Sequence, residues 1–245
     1  MAIEVFNRYE KKYMIDNDTY NMLQEQLALH MRGDKHHKDE EFYTICNIYF
    51  DTKDNELIRR SIEKPIYKEK LRLRSYGIPD LNQEVFLEIK KKYKRMVNKR
   101  RTSIVLKDAY EFVKTGVIPD SGRHPNMQVL KEIQYFLKVY GELEPAVYIA
   151  YDRKAFFGID EPDLRVTFDK NIRTRRYDVE LEKGDAGEMI LPKGKWLMEI
   201  KSFNCMPMWL SDILNENNIL PNSFSKYGTE YRNMKSIEIN NKGDN

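Results

Sequence analysis

The sequence predicts an α+β fold built on an antiparallel sheet, and two observations support this. Segments of alternating apolar and polar residues recur along the 245 residues, and helical periodicity is confined to stretches between and around them. A hydrophobic share of 41% is sufficient for a substantial core. No linker or change in composition divides the chain, so we expect one domain over residues 1–235 and a polar, disordered tail over 236–245.

The first half predicts a strand, a helix and then several strands. Residues 3–15 alternate and end at Asp16, which is suited to cap a helix over residues 17–31. The run FYTICNIYFDT predicts the next strand, and DNELIRRSIE predicts a short helix. Three further segments of period 2 predict an antiparallel meander and lie near residues 66–75, 83–92 and 99–106.

The second half predicts two helices, near residues 108–115 and 125–140, and then strands again. The runs AVYIAYDRKAFFG, LRVTFDKNI and KWLMEIKSF are typical of strands, and a last helix is expected from about Pro207. About eight strands are therefore expected in total.

The overall charge excludes a general electrostatic attraction to polyanions. The 42 basic and 39 acidic residues leave a formal net charge of only +3, so an anion-binding role requires local sorting of charge. There is also no apolar run of membrane-spanning length and no secretory signal. We therefore expect a cytoplasmic protein with no membrane segment of its own.

The charged residues of the predicted strands share faces. Lys70, Arg72 and Arg74 alternate with Leu71 and Leu73, so the cations project to one side and the leucines to the other. Similar sets in other strands are Arg8, Glu10 and Lys12; Glu88, Lys90 and Lys92; Lys99 and Arg101; Glu199 and Lys201; and the single cations Arg153 and Arg165.

A solvated outer face explains one such strand, but five strands that repeat Arg and Lys indicate an anionic ligand. If the sheet closes into a tunnel, the charged faces converge on one wet lumen, and helices cover the apolar face outside. Arg and Lys are suited to phosphate oxygens. Glu10, Glu88 and Glu199 are then candidate ligands of Mn²⁺ or Mg²⁺.

Eight segments, in order along residues 5–232, resemble the VTC domain, the polyphosphate polymerase branch of the CYTH or triphosphate tunnel metalloenzyme superfamily. In the first, Arg8 stands where the superfamily's ExExK-type strand has its first Glu. The segments are EKKYMI, NIYFDT, KLRLRSYG, VFLEIKKK, YDRKAF, LRVTFD, LMEIKS and FSKYGTEY.

The resemblance implies a closed antiparallel tunnel that binds ATP by its phosphates and transfers the γ-phosphoryl group to polyphosphate with Mn²⁺ or a similar cation. It implies a metal carboxylate at Glu199, and Ser223 stands where a further lysine is expected. The implied phosphate-binding residues are Lys12, Arg60, Arg72, Arg74, Lys90, Arg153, Arg165 and Lys226. Of these we expect catalytic roles for Lys12, Arg72, Arg74, Lys90, Arg153 and Arg165, and the strand pattern adds Arg8, Lys70, Lys99, Arg101 and Lys201 as phosphate ligands.

Three alternatives stay open at this point. The tunnel could hydrolyse tripolyphosphate or a nucleoside triphosphate, or it could bind polyphosphate or an inositol polyphosphate without turnover. The basic run over residues 90–101 could bind RNA, although part of it continues a strand, so no nucleic-acid partner is expected. The expected partners are ATP and polyphosphate.

Overall fold

The computed structural model describes residues 9–34, 42–94, 96–120, 126–203 and 205–243, and these form ten strands and six α-helices. The strands are β1 (Tyr9–Asp16), β2 (Met31–Gly33), β3 (Tyr43–Asp51), β4 (Tyr67–Tyr76), β5 (Glu84–Tyr93), β6 (Met96–Val105), β7 (Glu144–Gly158), β8 (Arg165–Arg175), β9 (Glu188–Met189) and β10 (Lys195–Ser202). The helices are α1 (Asn17–Leu27), α2 (Glu56–Ile62), α3 (Leu106–Thr115), α4 (Met127–Tyr140), α5 (Met208–Glu216) and α6 (Lys226–Gly243).

All ten strands belong to one antiparallel sheet. Its main path runs β1-β10-β8-β7-β3-β4-β5-β6, while β2 pairs with β7 and β9 pairs with β8. The predicted antiparallel sheet is thus confirmed, but the predicted count of about eight strands is wrong. The two extra strands are only three and two residues long, too short to give a periodic signal. Closure also differs, because no ladder within the described ranges joins β6 to β1.

The sheet nevertheless curls strongly. In a flat sheet, β1 and β4 would lie about 24 Å apart, because neighbouring strands are separated by about 4.8 Å. Yet the charge of Lys12 on β1 lowers the pKa of Lys70 on β4. Lys90 on β5 likewise lowers the pKa of Lys201 on β10, which lies equally far along the path. The two ends of the sheet therefore face each other across one interior.

Helices cover the outer face of the sheet with two apolar cores. Leu71, Leu73 and Leu87 of β4 and β5 pack with the buried faces of α3 and α4. On the other side, the outer face of β1, β8 and β10 packs with α1 and α5, and includes the Tyr20 and Trp196 rings, whose centroids are 3.9 Å apart. This is the arrangement that the leucines of β4 predicted.

Helix α6 fills one end of the inner face. Its Tyr227 and Tyr231 pack on Ile45, Ile149 and Leu197, which point inward from three strands. The Tyr227 hydroxyl group donates a hydrogen bond of 2.8 Å to the Asp51 carboxylate at the end of β3. The charged part of the inner face lies beyond this apolar plug.

Two helix ends differ from the sequence prediction. Asp16 caps α1 as expected, with its carboxylate accepting from the Thr19 amide, but α1 ends at Leu27 rather than at residue 31. Met31 continues the helical spacing, but it pairs with Gly158 as part of β2. Helix α6 continues to Gly243, whereas a disordered tail was expected from residue 236; after Gly228 in its first turn, no glycine or proline occurs before Gly243.

Candidate functional site

The inner face carries most of the cations that the sequence predicted to bind phosphate. Arg8 lies outside the described residues. Arg60 lies on α2, exposed and paired with Glu56, and the structure does not bring it into contact with the other cations. The cations on the inner face or at the start of α6 are Lys12, Lys70, Arg72, Arg74, Lys90, Lys99, Arg101, Arg153, Arg165, Lys201 and Lys226.

The Glu88 cluster comprises Glu88 and three cations of the β4–β6 meander. The Glu88 carboxylate lies 2.5 Å from Arg72 Nε, 2.6 Å from Lys99 Nζ and 4.0 Å from Arg74 Nε. Burial raises the pKa of Glu88, but the three cations outweigh it and hold the pKa far below its usual value. Glu88 is therefore a fixed anion that keeps three cations side by side.

Tyrosine hydroxyl groups and an amide orient the two arginines of β4. Arg72 Nη1 donates to the Tyr49 hydroxyl oxygen at 3.1 Å. Arg74 donates to Asn47 Oδ1 at 2.9 Å and to the Tyr151 hydroxyl oxygen at 3.1 Å. Burial raises the pKa of Tyr49, but the neighbouring cations, Arg72 first, lower it to about 8. These contacts hold both guanidinium groups toward the interior.

The Asp169 cluster comprises Asp169, Arg153 and Lys226. Arg153 donates two hydrogen bonds to the Asp169 carboxylate, at 2.6 and 2.8 Å, and Lys226 Nζ donates a third at 2.6 Å. Burial raises the pKa of Asp169, but Arg153 and Lys226 lower it below its usual value. The Lys226 ammonium group also lies 4.2 Å from the centroid of the Tyr151 ring. This cluster attaches the start of α6 to the sheet.

A pair of carboxylates lies on β1 and β10. Glu10 lies opposite Lys201 in the β1–β10 ladder, so Glu10 and Glu199 are diagonal neighbours on one face. Lys201 Nζ lies 3.3 Å and Arg153 Nη2 3.8 Å from the Glu199 carboxylate. Burial raises the pKa of Glu199, but Lys201 and Lys12 lower it well below its usual value. Glu199 is therefore ionised at neutral pH.

Glu10 and Glu199 fit a hard divalent cation better than Glu88 does. Two adjacent carboxylates offer oxygen ligands, and Mg²⁺ and Mn²⁺ prefer such ligands and retain several waters. Within the described ranges no group of three or more His, Cys, Asp or Glu side chains is placed to hold a metal. A metal bound here would thus need phosphate oxygens or water as well. Glu88 is less suited as a ligand, because each of its oxygens lies within 2.6 Å of a cation, whereas Lys201 and Arg153 lie 3.3 and 3.8 Å from Glu199.

Two polar groups on β8 lack acceptors. Arg165 Nε and the Thr167 hydroxyl group are buried with no hydrogen-bond partner in the part of the chain that the structure describes. Thr167 lies opposite Glu199 in the β8–β10 ladder. Buried donors normally have a partner, so these two groups are consistent with an anionic ligand at this position.

Lys70 adds a cation whose charge depends on pH. Burial lowers the pKa of Lys70, and the cations Lys68, Lys90 and Lys12 lower it further, to about 8. Its ammonium group lies 5.7 Å from the centroid of the Tyr227 ring of α6. An anion bound beside Lys70 would favour its protonated form.

Sequence reasoning missed the inward polar partners of the cations. Asp169, Asn47, Tyr49 and Tyr151 were not singled out, although alternation along β8 from Arg165 places Asp169 on the same face. Asn47 and Tyr49 lie between apolar residues, and such a strand resembles an ordinary core strand. These residues could have been predicted from the alternation of side chains along each strand, had it been applied to every polar residue rather than to Arg and Lys alone.

Together the fold and this face define a class of protein: a curled antiparallel sheet whose interior presents Arg and Lys side chains held by buried carboxylates and tyrosines. The chain belongs to the VTC domain family, because the model of that family matches residues 7–235. The family resemblance predicted from the sequence is confirmed. In the comparison with curated proteins, nothing matches this chain.

Solved structures share the fold at low sequence identity. A putative adenylate cyclase from Bacillus halodurans has a TM-score of 0.55 and 15% identity, over 91% of this chain and 96% of that chain. The putative adenylyl cyclase HpAC1 from Hippeastrum, described as having a dominant triphosphatase activity, has a TM-score of 0.54 and 16% identity, over 92% of this chain and 93% of that chain. At these identities the likeness shows a common fold alone.

Proposed function

We propose that this chain is a nucleotide-dependent polyphosphate polymerase, which transfers the γ-phosphoryl group of ATP to a growing polyphosphate chain with Mn²⁺ or Mg²⁺. The observation that carries the proposal is the convergence of cations from β1, β4–β8, β10 and α6 on one inner face in a chain of the VTC family. No helix among the described residues has the length and apolarity needed to cross a bilayer.

The chain's own residues would act by position and charge. Phosphoryl transfer asks the protein mainly to align the donor and acceptor and to neutralise developing charge. Arg72 and Arg74 are held in place by Glu88, Tyr49, Asn47 and Tyr151, so they can meet phosphate oxygens without further ordering. The more accessible amines, among them Lys90 and Lys99, would bind the flanking phosphates.

Glu10 and Glu199 would hold the divalent cation. When bound, this metal supplies charge neutralisation between phosphate oxygens. Lys201 and Arg153 keep the Glu199 carboxylate ionised and in place. Arg153 is buried and donates two hydrogen bonds to Asp169, so we assign it a positioning role rather than the direct phosphate contact that the sequence suggested.

Hydrolysis of tripolyphosphate or of a nucleoside triphosphate is the second candidate. Ser223 provides no positive charge where a polymer-gripping lysine was expected, and its side chain is exposed. One protein of similar fold, HpAC1, is described as a triphosphatase. If the polymer end is bound more weakly, water would take its place as the acceptor of the phosphoryl group.

Incubation of the purified protein with ATP and Mn²⁺ separates these candidates. Polyphosphate ladders on a gel support the polymerase, whereas free phosphate without polymer supports the hydrolase. Tight binding of tripolyphosphate with neither product would identify a non-catalytic polyphosphate-binding module and overturn the proposed enzyme.

Glu199→Gln tests the metal assignment. We expect this variant to lose metal-dependent turnover by at least about 100-fold while it retains tripolyphosphate binding, because one ligand charge is lost and the cations remain. Glu132→Gln is the matched control, since Glu132 pairs with Arg100 on the outer face. Unchanged turnover in Glu199→Gln would refute the metal site.

A further inference from the structure

An aromatic group lies at the end of the cationic face where β3 begins and β4 ends. The Tyr43 and Tyr76 ring centroids are 6.0 Å apart, and Tyr76 and Phe86 form an edge-to-face pair at 6.0 Å. The Arg101 guanidinium group covers one face of Phe86, with its Cζ atom 4.6 Å from the ring centroid. Four strands thus contribute three neighbouring rings, one pair tilted and one pair edge-to-face, and a guanidinium group.

This group directly adjoins the proposed phosphate site. Phe86 lies opposite Arg74 in the β4–β5 ladder, and Arg101 lies opposite Glu88 in the β5–β6 ladder. Tyr76 follows Arg74 by two residues on the same face, which corresponds to about 6.6 Å along a strand. Tyr43 lies opposite Arg153. A molecule whose phosphates bind Arg72 and Arg74 would therefore place the group attached to those phosphates beside the aromatic residues.

The aromatic group is also accessible. The Tyr76 residue is 47% exposed, and Arg101 is exposed, although each lies on the inward-facing side of its strand. A purely structural ring pair has no need of such exposure beside a cationic channel. Flat surfaces of Tyr and Arg are the ones on which nucleobases stack, and this stacking is tolerant of base identity because every base has a π-face.

We propose that the exposed Tyr76 ring, supported by Phe86 and Arg101, forms a platform on which the base of a bound nucleoside triphosphate stacks. This inference rests on the proposed function, and it specifies which end of the cationic face receives the nucleoside. The triphosphate then extends from the platform past Arg74 and Arg72 into the interior. It also changes the role of Arg101, which the sequence assigned to phosphate: its guanidinium group lies over the Phe86 ring and would support the base rather than bind the phosphates.

The test compares two ligands on one variant. Tripolyphosphate has the phosphates of ATP but no base, so binding of both ligands is measured by calorimetry with EDTA present to prevent turnover. For Tyr76→Ala we expect ATP to bind roughly tenfold more weakly, with tripolyphosphate affinity within about twofold of the unmodified protein. Retained tripolyphosphate binding also shows that the variant is folded.

Tyr93→Ala is the matched control. Tyr93 is 48% exposed and lies beside a cation, since Lys94 Nζ is 5.6 Å from its ring centroid, but it stands at the other end of β5 on the opposite face. We expect it to change neither affinity. Equal weakening of both ligands by Tyr76→Ala, or of neither, overturns the platform and leaves the phosphate site standing. Failure of the unmodified protein to bind tripolyphosphate overturns the proposed function and the platform with it.

Discussion

The Glu88 and Asp169 clusters contain the same kinds of charged groups, but their cations differ in how far they are exposed to solvent. Each contains a carboxylate with almost no exposure, 1% for Glu88 and 0% for Asp169, in contact with more than one cation. In the Glu88 cluster, the side chains of Arg72 and Lys99 remain 20% and 37% exposed. In the Asp169 cluster, the corresponding values for Arg153 and Lys226 are 7% and 13%. One cluster is open to a ligand, and the other is sealed.

This difference indicates that one type of interaction serves two purposes. The Glu88 cluster joins three consecutive strands that would pair without it, so its carboxylate serves mainly to gather cations at the interior. The Asp169 cluster joins the neighbouring strands β7 and β8 to α6, which is distant from them in sequence, so it fixes the helix that plugs one end of the sheet. The comparison yields four predictions.

Asp169→Asn should have the largest effect on folding. Two buried cations lose their counter-charge, and breaking such a buried pair typically costs about 3–5 kcal/mol in the free energy of unfolding. Urea denaturation measures this loss. Saturating tripolyphosphate should not restore it, because the cluster is sealed. Glu56→Gln, which breaks an exposed pair with Arg60, should cost less than about 0.5 kcal/mol.

Glu88→Gln should destabilise the protein less and in a reversible way. Arg72 and Arg74 then repel each other, and Lys99, whose pKa burial already lowers to about 7, loses the carboxylate that favours its charged form; we expect the unfolding free energy to fall by about 2–3 kcal/mol. Tripolyphosphate should restore this stability, because an added anion takes the place of the lost carboxylate. Its affinity should rise roughly tenfold, since one negative charge has left the site. Equal recovery in Glu88→Gln and Asp169→Asn would show that the two clusters do not differ in access.

Phosphate affinity should fall as pH rises through about 8. The pKa of Lys70, lowered mainly by burial, and that of Tyr49, lowered by Arg72 and Lys70 against burial, are both about 8. Above that pH the free site loses a positive charge at Lys70 and gains a negative charge at Tyr49, and Lys99, whose pKa burial lowers to about 7, is also deprotonated; all three changes weaken anion binding. Calorimetry from about one pH unit below the pKa of Lys70 to about one unit above it should show this decrease and proton uptake on binding.

Lys70→Arg is the reference for that measurement. Arginine stays charged throughout this pH range. The change of affinity with pH that remains in the variant therefore includes the effect of ionisation of the ligand itself. Its decrease in affinity with pH should be smaller than that of the unmodified protein. Identical profiles would exclude Lys70 as the titrating group. The Asp169 cluster should contribute nothing here, because the pKa of Asp169 is lowered and that of Arg153 is raised away from this range.

Arg60→Ala should have the smallest effect. Arg60 belongs to neither cluster and forms an exposed pair with Glu56. We expect a change in unfolding free energy below about 0.5 kcal/mol and a change in tripolyphosphate affinity below about twofold. A larger loss of affinity would restore the phosphate-binding role that the sequence suggested for Arg60.

Much of the fold followed from local sequence patterns. The meander β4–β6 was predicted within a few residues, since its alternation is regular and a turn signal separates its first two strands. Asp16 was predicted as the cap of α1 because a helix cap is also a local feature: its carboxylate accepts from the amide only three residues later. Strands β2 and β9 were missed, since segments of three and two residues form only where β7 and β8 provide a partner.

The sequence by itself determined which side chains share a face, because alternation along a strand is a local property of the backbone. Only the tertiary structure decided which charges meet. Asp169 and Lys226 are 57 residues apart, and whether Lys226 binds phosphate or a buried carboxylate depends on where α6 docks. The curl of the sheet decided which charges of distant strands interact, since it brings Lys12 close to Lys70 across the interior. Electrostatic energies depend on distance and burial, and no strand pattern specifies either.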